Sequence, residues 1–317
     1  MSIIKKIINF LIREKVFSLA LLLYIIAAIW LNGDGFNSFY NINNLLIQVA
    51  TFGIVALGMT FAIIGGEFDL SVGSVYSLTG LLVVGLQPQF GLFSALLIAI
   101  TVALALGLLN GVLVAKAKIS AFIVTFGAMI MVKGIALSYS NGRPITSTCD
   151  AFNNFGGMKI GGISAFFVIF AFLFIICHYV LSYTRYGRNI YAIGGNKETA
   201  ITSGINVDFY KMTIFVLTGF FAGLMGILMA ARLNSGSSVV GDGIELKVIA
   251  AVVIGGTHLA GGRGSVIRTL LGVFVLALIE NIFNLKSDVF SPYFQRVIQG
   301  AILVTVVAFD GYNKKKE

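Results

Sequence analysis

Charge is what this chain most lacks. Only 11% of its 317 residues are Asp, Glu, Lys or Arg, where a soluble domain of similar length carries about 25%. That scarcity excludes a water-soluble globular fold. Three prolines leave no room for a Pro-rich linker, and the 37 glycines fit close-packed membrane helices. Two cysteines, Cys149 in a polar loop and Cys177 in an apolar run, give no disulfide framework. On the topology below one lies outside and the other within the membrane. His178 and His258 have no Cys, Asp or Glu at ligand spacing, so no metal site is expected. There is no Ser/His/Asp or HExxH constellation, which leaves an intramembrane enzyme without catalytic residues. A P-loop is also missing: Gly256 and Gly261 are followed by Gly262 and Arg263, not by Lys-Ser/Thr. With no dinucleotide fingerprint either, no cofactor is expected. If transport is driven by ATP, the ATPase is another polypeptide.

What is present is apolar. Hydrophobic residues make up 58% of the chain and the mean hydropathy is +0.96. A bilayer core about 30 Å thick needs about 20 apolar residues per helix. Ten candidates meet or approach that length: 16–31, 45–65, 70–86, 91–115, 119–140, 161–182, 212–232, 246–260, 266–283 and 294–309. Glycine pairs interrupt several. The reading is an all-α, polytopic integral membrane protein with some discontinuous helices, residues 1–317 forming one transmembrane domain. Residues 3–14 set Ile4, Ile7, Ile8, Leu11 and Ile12 on one face, which reads as an interfacial helix over 1–15. The run Val16–Leu31 lacks a small-x-small cleavage pattern and reads as a retained span.

The net charge of +9 does not call for nucleic acid, because basic residues collect at cytoplasmic span ends beside anionic lipid. Lys5, Lys6, Arg13 and Lys15 precede the first span, and Lys314, Lys315 and Lys316 follow the last. Both termini are therefore expected in the cytoplasm. The long polar segment Tyr183–Lys211 then falls on the cytoplasmic side, with five candidate spans before it and five after. Such a split is compatible with an inverted repeat. GGEFDLSVGSV (65–75) and GGTHLAGGRGSV (255–266) look alike. They differ by one residue in spacing and express a shared need for bent backbone.

Glu67, Asp69 and Ser71 form the sharpest motif. Carboxylates between apolar runs cost about 2.5–3.5 kcal/mol each at mid-bilayer. They either cap a broken helix or line a solute path, and the two roles are compatible. With Asn110 they are the candidate translocation-path residues. Thr218, Gly219, Ala222, Gly223 and Gly226, and also Gly107 with Gly111, read as packing seams. Lys133 and Glu280 are isolated charges that could pair with each other. Within the mid-chain segment, Asn196 can cap a short helix over 196–203 that Gly204 closes, and Gly194 and Gly195 permit a sharp entry turn. A helix of about two turns is unstable alone and must dock on something.

These residues resemble a known family. GGEFDLSVGS, NGRPIT, RYGRNIYAIGGNKETAITSGINV, the EL-x-x-IAAVVIGGTHLAGGRG run and the basic tail are similar to the ribose/xylose/galactose-type permeases of bacterial ATP-binding-cassette importers. The likeness runs in order from Asn41 to Lys316. It implies a core of two permeases, identical or sister subunits, with two cytoplasmic ATPases and an extracytoplasmic sugar-binding protein. The matching loop contacts the ATPase in that family, which points to Arg188, Gly194, Gly195, Asn196, Glu198, Thr199 and Ala200 as coupling residues. Glu67-Phe68, Lys247 and Arg268 stand where the family pattern has Ile, Asp and Gly. Relatives also carry autoinducer-2, inositols and furanose sugars. The alternative from another class is an ion-coupled carrier or channel that recruits Glu67 and Asp69.

Overall fold

The computed structural model describes residues 15–305, except 32, 34, 292, 293, 296, 299, 302 and 303. The expected helix over 3–14 and the basic tail lie outside the described residues, and the last candidate span is described in part. The helices are α1 (Lys15–Trp30), α2 (Phe39–Ile64), α3 (Val72–Ala115), α4 (Ala121–Ser140), α5 (Asp150–Gly156) and α6 (Ala165–Tyr183). They continue with α7 (Arg185–Gly195), α8 (Lys197–Thr202), α9 (Val207–Leu233), α10 (Ile244–Ile254) and α11 (Val266–Leu285). Strands are two residues each: β1 (Ile145–Thr146) pairs antiparallel with β4 (Ser235–Gly236), and β2 (Lys159–Ile160) with β3 (Ile163–Ser164).

Among the described residues six helices are long and apolar enough to cross a membrane: α2, α3, α4, α6, α9 and α11. The sequence expectation of ten counts differently because α1 has 16 residues, α10 has 11, and α3 merges two candidates into 44. A straight helix of that length would reach about 66 Å, roughly twice the hydrocarbon thickness. Gly91 (φ 75, ψ 165) breaks it. Packing on α9 shows what the break does. A Cβ on Gly223 would meet both Ala103 and Thr79, and toward the other ends of the two halves Asn110 Nδ2 lies 2.9 Å from Ser71 Oγ, so residue numbers rise along one half as they fall along the other. Thr79 and Ala103 thus stand at one height, and the two halves of α3 run antiparallel.

Small residues make this contact as close as backbones allow. A Cβ on Gly219 would stand 2.6 Å from the Ala103 carbonyl oxygen, and one on Gly111 2.8 Å from Met212 Cα. The expected seam is therefore real, and it joins α3 to α9. Lipid tails are as apolar as the helices, so van der Waals contact of this kind is what holds membrane helices together.

The contacts define two opposite faces. One gathers the start of α2, β1 to β4 and the end of α11: Asn41 and Asn281 exchange amide hydrogen bonds of 3.0 and 2.9 Å, and Asn43 donates to Gly162 O at 2.9 Å. The other gathers the end of α2, the α7–α8 segment and the 255–264 turn, where Gly262 N donates to Ile64 O at 2.8 Å. The two glycine-rich turns that look alike in sequence lie together on this second face.

Candidate functional site

The break after α2 is closed by side chains. Asp69 Oδ1 accepts from Ser71 N at 2.8 Å and from Ser71 Oγ at 2.6 Å, while its Oδ2 accepts from Thr218 Oγ at 2.6 Å. Asn110 Nδ2 donates to Ser71 Oγ at 2.9 Å. Asp69, Ser71, Asn110 and Thr218 are all buried at about 1% exposure. Asp69, in the break itself, thus satisfies the amide and the hydroxyl of Ser71, as buried polar groups require. Three of the four sequence candidates meet here, joined by Thr218, which sequence reasoning had assigned to packing alone. Glu67 is elsewhere engaged. It forms a partly buried ion pair with Lys211 near the start of α9.

On the same face α7 and α8 form a helical elbow. Thr184 caps α7 through Gly187 N, and Asn196 Oδ1 caps α8 by accepting from Thr199 N at 2.9 Å. Gly204, at φ +79, closes α8, so the short helix forms where the cap and the glycine place it. Sequence reasoning gave Gly194 the role of a turn former. The structure assigns it to the end of α7 and shows a tighter constraint. A Cβ there would overlap the Ile64 carbonyl oxygen and stand 2.6 Å from Gly262 N. Tyr191 adds a hydrogen bond of 2.9 Å to Gly264 O. Ala200 is buried with Ile193 and Val207, whereas Arg188, Gly195, Asn196, Glu198 and Thr199 face solvent. One side of α8 docks on its own protein and the other is open, with Ile201 54% exposed.

A cavity of about 650 Å³ opens at the opposite face between α2, α10 and α11. Asn44, Gln48, Arg232, Lys247, Glu280 and Asn284 supply much of its polar wall. None of Glu67, Asp69, Ser71 or Asn110 lies on it. Sequence reasoning missed this site, although a signal existed: Asn41, Asn44, Gln48 and Thr51 recur at i, i+3, i+7 and i+10, a polar stripe on an otherwise apolar helix. The suggested Lys133–Glu280 pair is corrected here. Lys133 pairs with Asp242, and Glu280 accepts from Lys247 Nζ at 2.7 Å. Helix α10 enters between the two, so each charge finds a nearer partner.

Comparison with known proteins puts this architecture in a family. The model described as branched-chain amino acid transport system / permease component matches residues 41–307. The ribose import permease protein of Haemophilus influenzae is 37% identical over 309 residues, covering 96% of this chain and 94% of its own. That of Escherichia coli K12 is 38% identical over 306 residues, 94% of each. The L-arabinose transport system permease protein of E. coli K12 is 36% identical over 305 residues, 92% of this chain and 88% of its own. No solved structure matches. The chain belongs to the branched-chain amino acid transport system / permease component family: it is a membrane-spanning permease subunit of an ATP-binding-cassette importer, and ATP hydrolysis belongs to a separate subunit.

Proposed function

We propose that this subunit carries a ribose-type monosaccharide inward, receiving it from an extracytoplasmic sugar-binding protein at the face that bears the cavity. The observation that carries the reading is the cavity of about 650 Å³, lined by amides together with the Lys247–Glu280 pair and Arg232, on the face opposite the open side of α8. Cavities of this order suit small ligands, and amides offer donor and acceptor to hydroxyls without charge. The path continues toward the Glu67–Ser71 break, where Asp69, Ser71 and Asn110 line its inner stretch when it opens. The subunit works in the bacterial inner membrane as a dimer, identical or with a sister chain, in contact with lipid. Reconstituted with its ATPase and binding protein, it should accumulate D-ribose with ATP. Accumulation driven by an ion gradient without ATP would favour the carrier reading instead.

Both termini and the α7–α8 elbow belong in the cytoplasm. Cysteines at Lys159 and Ser203, both exposed, test this in intact cells with a membrane-impermeant thiol reagent. Labelling at 159 alone is expected; labelling at 203 alone would invert the topology.

The ATPase takes the open side of α8. A cysteine at Thr199 should cross-link to the ATPase subunit, and Glu198→Lys should weaken its co-purification several-fold while insertion stays normal. Free mobility of the Thr199 cysteine in an active complex would exclude docking there.

A further inference from the structure

The polar groups around the cavity are not equally available to a solute. Asn41 and Asn281 are spent on each other, at 3.0 and 2.9 Å. Thr51 Oγ donates to Ile47 O at 2.8 Å. Gln48 differs: its Oε1 is shielded from solvent and accepts no hydrogen bond among the described residues. Such an acceptor costs stability until a donor reaches it. Close by in the same wall, Lys247 Nζ donates to Glu280 Oε1 at 2.7 Å and stands 5.4 Å from the centroid of the Phe52 ring. Both charged side chains keep some exposure, 29% for Lys247 and 17% for Glu280. An ammonium has three N–H bonds, and one of these goes to Glu280.

The geometry points to a diol-reading subsite built from Lys247, Glu280, Gln48 and Phe52, resting on the reading of this cavity as the entrance of a sugar path. Adjacent hydroxyl oxygens of a sugar lie about as far apart as the two charged atoms of the ion pair. One hydroxyl donates to the Glu280 carboxylate, and its neighbour accepts from the Lys247 ammonium. A further hydroxyl donates to Gln48 Oε1, and the C–H edge of the ring meets Phe52. The adjacent opposite charges also select against ions. An anion is repelled by Glu280 and a cation by Lys247, so the favoured solute is neutral and carries adjacent hydroxyls.

The test uses the complete importer in nanodiscs, with Cys149 and Cys177 replaced by serine and Asn284 by cysteine as a reporter in the cavity. The measured quantity is protection of that cysteine from a membrane-impermeant thiol reagent. D-ribose should protect, whereas 2,3-dideoxyribose, which retains no adjacent hydroxyl pair, should not. Lys247→Met should raise the half-protecting concentration of D-ribose by about tenfold, the loss expected for a charged hydrogen bond. Gln48→Ala, which breaks no ion pair, should raise it less, by about threefold, and guards against a fold lost in the first variant. Equal protection by the two sugars, or unchanged half-protection in both variants, overturns the subsite. Absence of ATP-driven D-ribose uptake by the unmodified complex is a different result, and it overturns the sugar-import reading itself.

Discussion

Asp69→Ala should remove most transport and lower stability by about 2–5 kcal/mol, the cost of leaving two buried groups of Ser71 without their acceptor. Ser71 N and Ser71 Oγ both donate to Asp69 Oδ1, and Asn110 depends in turn on Ser71 Oγ. Thr218 suffers less, because its hydroxyl also donates to Phe215 O at 2.9 Å. Asp69→Asn should fall between, since an amide nitrogen would face one of the donors. Binding-protein affinity for sugar should not change. Thermal unfolding of the purified permease and uptake by the reconstituted importer measure the two effects. If the alanine variant melts and transports normally, the network does not hold the broken helix end.

A comparable loss is expected for Gly194→Val, through backbone crowding. Overpacking a well-packed site typically costs about 1–3 kcal/mol. Here the obstacles are the Ile64 carbonyl and the Gly262 amide, which cannot rotate away as side chains do. The variant should therefore fail to assemble with its ATPase and should melt early. Gly195→Ala is the matched control: its Cβ would meet nothing within 4 Å, so the isolated permease should melt as the parent does. A bulkier residue at 195 should leave stability intact and weaken ATPase co-purification. Early melting of the Gly195→Ala variant, or a Gly194→Val variant that assembles normally, would show that the elbow does not sit as described.

Features encoded locally were legible in the sequence. The Gly65–Ser71 break, the Asn196 cap, the Gly204 closure and the small-residue stripe of α9 each depend on residues within a few positions of one another. What was not legible depends on which distant helix lies opposite. Nothing near Glu280 identifies Lys247, 33 positions away, as its partner, and Lys133 was matched to the wrong carboxylate. Gly194 was recognised as permissive, but its real demand comes from Ile64 and Gly262, which the fold brings to it. The cavity was overlooked because its amides, read one at a time, resemble ordinary span-end polarity. Only the recurrence at Asn41, Asn44, Gln48 and Thr51 marks a shared wall.

The meeting of Gly194, Ile64 and Gly262 has a mechanical meaning. Most protein contacts are cushioned, because side chains between two backbones can change rotamer and absorb a shift. At this junction nothing is interposed, so a nudge on α7 is passed undamped to the α2 terminus and to the strap between α10 and α11. Helix α2 is a rod about 39 Å long at 1.5 Å per residue. Its far end is bolted to α11 by the Asn41–Asn281 amides, beside the mouth of the cavity. If the ATPase docks on the elbow as proposed, a stroke begun there would reach the opposite face with little slack.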